Sequence, residues 1–209
     1  MWQRALVIVY LHGFNSAPDS FKANLVKSEL VRRGRGGEFT CPRLPWRFRD
    51  AQALIDTTLL DLAGQPVCLV GSSLGGYYAT HFAERYGLPA VLVNPAVMPY
   101  NSLANYLGPQ RNLYTGEQYT LDASHVDELR ALDIATPTRP ERYLLLVHTG
   151  DEVLDYREAV MKFATSPQVV IQGGDHAFHD FADYLGRVLD FADAHAATGI
   201  MPGRQSQQS

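Results

Sequence analysis

The stretch Val67-Cys68-Leu69-Val70-Gly71-Ser72-Ser73-Leu74-Gly75-Gly76-Tyr77-Tyr78-Ala79 constrains this chain more than any other. A short apolar run, β-branched at Val67 and Val70, stops at a glycine and passes into helix-compatible sequence. That order predicts a strand, a tight turn and a helix. Gly71-Ser72-Ser73-Leu74-Gly75 fits the pattern G-x-S-x-G in one frame only, so Ser73, and not Ser72, is the candidate nucleophile. The glycines have a steric reason: a serine held in a strained conformation between strand and helix leaves no room for side chains two positions to either side. Short motifs also arise by chance, so the strand before and the helix after carry the weight. Ser72 reads as a turn or packing residue.

The rest of the chain repeats this strand-helix rhythm. Leu6-Val7-Ile8-Val9-Tyr10-Leu11 is a continuous apolar run, as expected of a strand covered on both faces, and it ends in the loop His12-Gly13-Phe14-Asn15-Ser16. Residues 19–33 read as a helix with Ala23, Val26 and Leu30 in one stripe. A short strand follows over Glu38 to Cys41, closed by Pro42 and Pro45. Asp50 is placed to cap the next helix, in which Ala51, Leu54, Ile55, Thr58 and Leu62 recur at helical spacing until Gly64 and Pro66 end it. Ala90-Val91-Leu92-Val93 makes a fourth strand, stopped by Asn94-Pro95. Tyr143-Leu144-Leu145-Leu146-Val147, a helix from about Asp155 to Ala164, and the strand Val169-Val170-Ile171 resume the pattern. A closing helix carries Phe178, Phe181, Leu185, Val188, Leu189 and Ala192 on one side. Regular alternation of this kind predicts an α/β fold: a three-layer sandwich of about six mostly parallel strands with helices on both faces.

Residues 95–141 break the rhythm with prolines, glycines and the tyrosines Tyr100, Tyr106, Tyr114 and Tyr119, and one helix is expected at the capping pattern Ser124-x-x-Asp127. A stretch this long between strands is commonly functional, and it reads as a small lid inserted over the site. The polar residues 199–209 read as a disordered tail, leaving residues 1–198 as one domain.

Composition closes off other classes. A net charge of −4 gives no polyanion-binding signature, so nucleic acid is not an expected partner, and Arg32-Arg33-Gly34-Arg35 reads as a solvated helix end. No stretch approaches 18 uninterrupted apolar residues, and Met1-Trp2-Gln3-Arg4 leads into the first strand with no signal-peptide pattern, which predicts a cytoplasmic protein without a membrane span. Cys41 and Cys68 lack metal-ligand spacing and read as buried free thiols. Nucleotide binding would suit a parallel sheet, but no G-x-G-x-x-G or G-x-x-x-x-G-K-[ST] follows a predicted strand.

A serine hydroxyl is a weak nucleophile at neutral pH and needs a base, itself oriented by a third group. Asp151 follows the strand ending at His148-Thr149-Gly150, and His176 follows Gly173-Gly174-Asp175. In a parallel sheet such strand ends share one edge, so residues far apart in sequence can meet there. The order Ser73, Asp151, His176 is the nucleophile-acid-base order of α/β hydrolases. In these roles Ser73 attacks an acyl carbon, His176 takes the proton and returns it to the leaving group, and Asp151 holds the imidazole. Backbone N–H groups of Leu74 and Phe14 are the expected oxyanion donors.

Five segments then make the resemblance specific: Leu11-His12-Gly13-Phe14-Asn15-Ser16, Gly71 to Tyr78, Val93-Asn94-Pro95-Ala96-Val97, Thr149-Gly150-Asp151-Glu152-Val153-Leu154-Asp155-Tyr156, and Gly173-Gly174-Asp175-His176-Ala177-Phe178. Together they resemble the small bacterial YqiA-like esterases of the α/β-hydrolase fold, from about residue 6 to about 192. The resemblance implies a serine esterase hydrolysing carboxylic esters or acyl thioesters of small to medium acyl groups, with no metal or organic cofactor.

Other assignments compete at several positions. Asp155 could replace Asp151 as the acid, although its place at a helix start suits capping. Glu152 is expected to point away. His12 reads as a structural turn residue and His148 as a core histidine, while His179 is the alternative base. Tyr77 and Asn15 are candidate substrate-binding residues, with plain packing an equal alternative for Tyr77 and for Tyr78. His125 and the tyrosines of 95–141 could touch substrate, although ordinary surface or core positions suit them better. A thioesterase or acyltransferase would use the same triad, and a binding protein could keep the fold without catalysis.

Overall fold

The computed structural model describes residues 5–103, 106–112 and 115–195. Strands covered on both faces need no polar alternation, which is why the apolar runs fold as β1 (Val7–Leu11), β3 (Val67–Ser72), β4 (Ala90–Val93) and β7 (Tyr143–His148), every residue of which is buried. With β2 (Phe39–Thr40) and β8 (Gln168–Ile171) they form one six-stranded sheet in the order β2-β1-β3-β4-β7-β8, with every pairing parallel.

Register decides what happens at the carboxyl edge. Leu11 lies opposite Gly71, Ser72 opposite Val93, and His148 opposite Ile171. Val93 lies opposite Leu146, so β7 and β8 run two residues further than β4, and the loops that leave β1, β3, β4, β7 and β8 all open at the same edge, the arrangement in which α/β sheets gather functional residues.

The pleat divides the core in two. Val7, Val9, Leu11 and Leu69 face α2 (Phe48–Asp61), α3 (Leu74–Tyr86) and α6 (Tyr156–Lys162). Ile8, Tyr10, Cys68 and Val70 face α1 (Phe21–Arg32) and α7 (Leu185–Ala194). Each buried Val, Leu or Ile contributes roughly 1.5–3 kcal/mol relative to exposure, so the sheet is fixed from both sides. On the α7 side Arg35 reaches Asp193 with two hydrogen bonds, 2.9 and 2.7 Å, and also pairs with Glu38. It is a bridge between helices and not the solvated end that its sequence context predicts.

Several boundaries differ from the sequence expectation, each for a local reason. The helix expected to start at Asp50 starts at Phe48, because that ring is 1% exposed and is drawn into the core, leaving Asp50 inside the first turn. The helix expected from Ser124 is α5 (Ala123–Arg130), capped by Asp122, whose Oδ1 accepts the Ser124 N–H while His125 Nδ1 accepts the Asp122 N–H. His125 there takes the reciprocal place usually filled by Glu or Gln. Glu38 ends a 3₁₀ turn, so β2 is shorter than expected. The six apolar residues of the closing segment are all buried, but they ride on three pieces: Phe178 in a left-handed turn (φ 59°), Phe181 in a 3₁₀ turn, and the rest in α7.

Within 95–141 the chain forms α4 (Pro99–Leu103), an antiparallel pair β5 (Gly108–Arg111) and β6 (Gln118–Leu121), and α5. Tyr114 and the tail 199–209 lie outside the described residues. Among the described residues no helix is long and apolar enough to cross a membrane.

Candidate active site

Ser73 sits between β3 and α3 with φ 56° and ψ −123°, a left-handed conformation that costs a non-glycine residue on the order of 1–3 kcal/mol. The turn is held by bonds that leave it no slack: Ser73 N–H donates to the Val93 carbonyl at 3.1 Å, and the Ser73 carbonyl accepts from Gly76 and Ala96 at 2.9 and 3.1 Å. Glycine is required at both flanks. A Cβ at Gly75 would run into the Leu11 carbonyl, and one at Gly71 would run into the Gly75 carbonyl and lie 2.8 Å from the Ala79 Cβ.

The structure brings the three side chains singled out in the sequence together. His176 Nε2 lies 3.0 Å from Ser73 Oγ, and His176 Nδ1 lies 2.8 Å from Asp151 Oδ2. Asp151 is nearly buried, and its other oxygen accepts the backbone N–H groups of Val153 and Leu154, both at 2.9 Å. Burial pushes its carboxyl up, but the imidazole and those two N–H donors outweigh burial and hold it below the ordinary Asp value. Asp155 caps α6 by accepting the Arg157 N–H at 3.0 Å. His179 is on the surface, paired to Asp175 at 2.6 Å.

The loop carrying His176 is gripped from four sides. Glu152 accepts the His176 backbone N–H at 2.9 Å, so its carboxylate faces the loop, against the expectation that it points away. Asn94, itself left-handed at φ 39°, accepts the His148 N–H and donates through Nδ2 to the carbonyls of Asp175 and His176. His148 is buried, stacks on Phe178 with ring centroids 3.8 Å apart, and accepts the Asp175 N–H through Nδ1. Lys22 Nζ donates to the Ala177 carbonyl at 2.6 Å, and burial pushes its ammonium down to about 8 against the pull of Asp175 and Asp151. Sequence reasoning missed Glu152, Asn94 and Lys22 in these roles. Only Asn94 carried a signal, as the polar stop immediately after an apolar strand.

On the opposite side of Ser73 stands the loop after β1. His12 is buried, and its Nε2 accepts the Leu44 N–H at 3.1 Å, which puts the ring proton on Nδ1, beside the Gly13 carbonyl at 2.9 Å. Burial lowers its pKa, in keeping with a neutral structural ring. Among the described residues, neither the Phe14 nor the Leu74 N–H is engaged by a protein acceptor. A Cβ at Gly13 would lie 3.2 Å from the Ser73 Cβ, so this loop runs against the serine.

Two cavities flank Ser73 and His176. One, about 290 Å³, is walled by apolar groups including Phe48, Leu103, Leu129, Val153 and Leu154. The other, about 450 Å³, has a mixed wall on which Asn15, Ser16, Ser20 and Lys22 stand beside Tyr10 and Phe21. Tyr77 lines neither of these two cavities: it is buried and its hydroxyl donates to the Leu129 carbonyl at 2.7 Å. Tyr78 is likewise buried in the core. Asn15 does line the larger cavity, but its Oδ1 accepts the Tyr119 hydroxyl at 2.6 Å. Burial raises both thiols, Cys41 to about 12, which disfavours the thiolate form at either. Among the described residues no three His, Cys, Asp or Glu side chains converge as a metal site.

Comparison with known proteins follows the same line. The uncharacterised protein family UPF0227 matches residues 7–193, and the chain belongs to that family. Similar solved structures include Est1E from Butyrivibrio proteoclasticus with ferulic acid bound, 14% identical, with 93% of this chain and 91% of that chain covered and a TM-score of 0.68. The α/β hydrolase domain-containing protein 10 from mouse is 20% identical, with 88% and 89% covered and a TM-score of 0.66. A monoacylglycerol lipase from Paleococcus ferrophilus is 16% identical, with 92% and 95% covered and a TM-score of 0.65. At these identities the likeness establishes the α/β-hydrolase fold.

Proposed function

We propose that this member of UPF0227 is a serine esterase that cleaves carboxylic esters of small to medium acyl groups through an acyl-enzyme. The observation that carries the reading is the unbroken line from Ser73 Oγ to His176 Nε2 at 3.0 Å and from His176 Nδ1 to Asp151 Oδ2 at 2.8 Å, beside two backbone N–H groups with no protein acceptor among the described residues. The hydroxyl attacks the acyl carbon while His176 takes its proton, and Asp151, kept ionised, holds the tautomer in which Nε2 is the acceptor. Negative charge that develops on the carbonyl oxygen meets the N–H groups of Leu74, at the positive end of α3, and of Phe14. Collapse of the tetrahedral adduct breaks the bond to the leaving oxygen, which receives the proton from His176. Water then repeats the cycle on the acyl-enzyme and frees Ser73.

The apolar cavity suits the acyl chain. Leu103 from α4 and Leu129 from α5 form part of its wall, so the 95–141 segment acts as a lid-like insertion on one domain spanning about residues 1–198. The leaving group then occupies the larger cavity, on whose mixed wall Asn15, Ser16 and Lys22 offer polar contacts.

Chromogenic esters and matched thioesters of graded acyl length test the reading, with Ser73→Ala beside the wild type. Ester turnover that falls on the order of 10³-fold or more in the variant supports it. Turnover of thioesters alone, or partition of the acyl group to added alcohols or thiols in preference to water, would make the protein a thioesterase or an acyltransferase. No turnover by the wild type on any acyl donor would favour a binding protein.

A further inference from the structure

The two oxyanion donors are held in very different ways. Leu74 N–H starts a helix wedged between β3 and the β1 loop by glycines with no room for a Cβ. Phe14 N–H lies on a loop, where placement depends on what the loop's side chains grip. His12 is one anchor, through the Leu44 N–H. The residue on the other side of Phe14, Asn15, takes a left-handed backbone conformation at φ 52°. Its side chain accepts the hydroxyl of Tyr119, 104 positions away on β6 of the 95–141 segment.

Tyr119 is well placed to hold what it touches. Its ring is buried, stacks on Trp46 with centroids 4.4 Å apart and planes 13° from parallel, and meets Phe14 edge-on at 6.2 Å. Trp46 is in turn tied to the same hairpin, its indole N–H donating to Glu117 Oε1 at 3.1 Å. One aromatic side chain thus contacts Phe14 by its ring and Asn15 by its hydroxyl. Both contacts act on the residues that carry and follow the Phe14 N–H, so they restrain the segment on which that donor sits.

Resting on the esterase reading above, we infer that Tyr119 is a positioning residue for the oxyanion hole: through Asn15 it sets where the Phe14 N–H points. The hairpin β5–β6 then does more than cover substrate. It completes one of the two donors, and a displacement of the hairpin weakens the stabilisation of the transition state, not the binding of the ester. Hydrogen bonds to a developing oxyanion act only within about 2.7–3.1 Å, so loosening the loop is felt in kcat.

The test is a double-mutant cycle on ester hydrolysis. Tyr119→Phe removes the hydroxyl and keeps the stacking, and Asn15→Gly removes the acceptor and keeps the left-handed backbone. Each is expected to lower kcat roughly tenfold, the upper end for one neutral hydrogen bond, with KM within twofold. The double variant is expected to be no slower than either single one. Affinity for a trifluoromethyl ketone, whose adduct places an alkoxide in the hole, should fall by the same factor as kcat. Unchanged kcat and ketone affinity in Tyr119→Phe, or losses that multiply in the double variant, would overturn the inference. A loss confined to thermal stability would overturn it too, since that is all a structural contact supplies. Should Tyr119→Phe fail to fold, Asn15→Gly alone reads the same contact. A wild type without Ser73-dependent hydrolysis would instead remove the esterase reading itself, and the inference with it.

Discussion

Asn in place of Asp151 changes one atom and should nearly silence the enzyme while leaving it folded. Asp151 Oδ1 accepts two backbone N–H groups, from Val153 and Leu154, and Oδ2 faces His176 Nδ1. An asparagine can satisfy the two N–H donors only with its own oxygen, which turns its NH₂ toward the imidazole. The opposite amide orientation would leave two donors facing an NH₂ group, at a cost of about 1–3 kcal/mol for each, or about 2–6 kcal/mol in all. That gap keeps the wrong orientation in at least roughly 97% of molecules. Facing an NH₂ group, Nδ1 becomes the acceptor and the ring proton moves to Nε2, where it blocks uptake of the Ser73 proton. In Ser-His-Asp sites such a tautomer error costs about 10⁴-fold in kcat, about 5.4 kcal/mol of barrier. Asp155→Asn is the control: it keeps a good capping side chain on α6 and should stay within about twofold of wild type. The assay is steady-state hydrolysis of one chromogenic ester by all three proteins, with thermal unfolding alongside. Asp151→Asn within tenfold of wild type, or slower turnover by Asp155→Asn than by Asp151→Asn, would refute the reasoning.

Two further outcomes follow from other contacts. Tyr77→Phe removes a buried hydroxyl and its bond to the Leu129 carbonyl, which keeps the Leu132 N–H as a donor, so it should lose about 0.5–1.5 kcal/mol, a drop in Tm of a few degrees, with kcat within twofold; a large kcat loss at unchanged Tm would return Tyr77 to the substrate wall. Lys22 titrates near 8 in the folded chain and near 10.5 in the unfolded one, so the unfolded state holds more protons between those values and this residue's contribution to stability rises with pH across that window. Thermal unfolding at pH 7 and pH 10 should show wild type gaining on Lys22→Met as the pH rises, and a constant difference would contradict that.

The parts of the fold that read easily from sequence are those where burial is complete. Four strands are built on apolar runs, and one parallel sheet brings their carboxyl ends to a single edge, so Ser73, Asp151 and His176 could be gathered from order alone. What was not legible depends on tertiary contacts. The strand Gly108–Arg111 has a proline, two polar residues and no apolar alternation, and its pairing is fixed by β6. Phe48 starts its helix earlier than the expected cap because the core takes the ring. Glu152, next to the acid, gave no hint that it would grip the backbone of the base, since its partner is 24 positions away and carries no side-chain signature. Tyr77 admitted two readings because a helix face toward a cavity and one toward the core have the same spacing.

The central claim is that Ser73 is the nucleophile, and covalent labelling tests it most directly. A fluorophosphonate probe followed by intact mass measurement and peptide mapping should add one equivalent, at Ser73, and Ser73→Ala should take up none while its circular dichroism is unchanged. One equivalent mapped to another residue, or undiminished labelling of Ser73→Ala, would contradict the account.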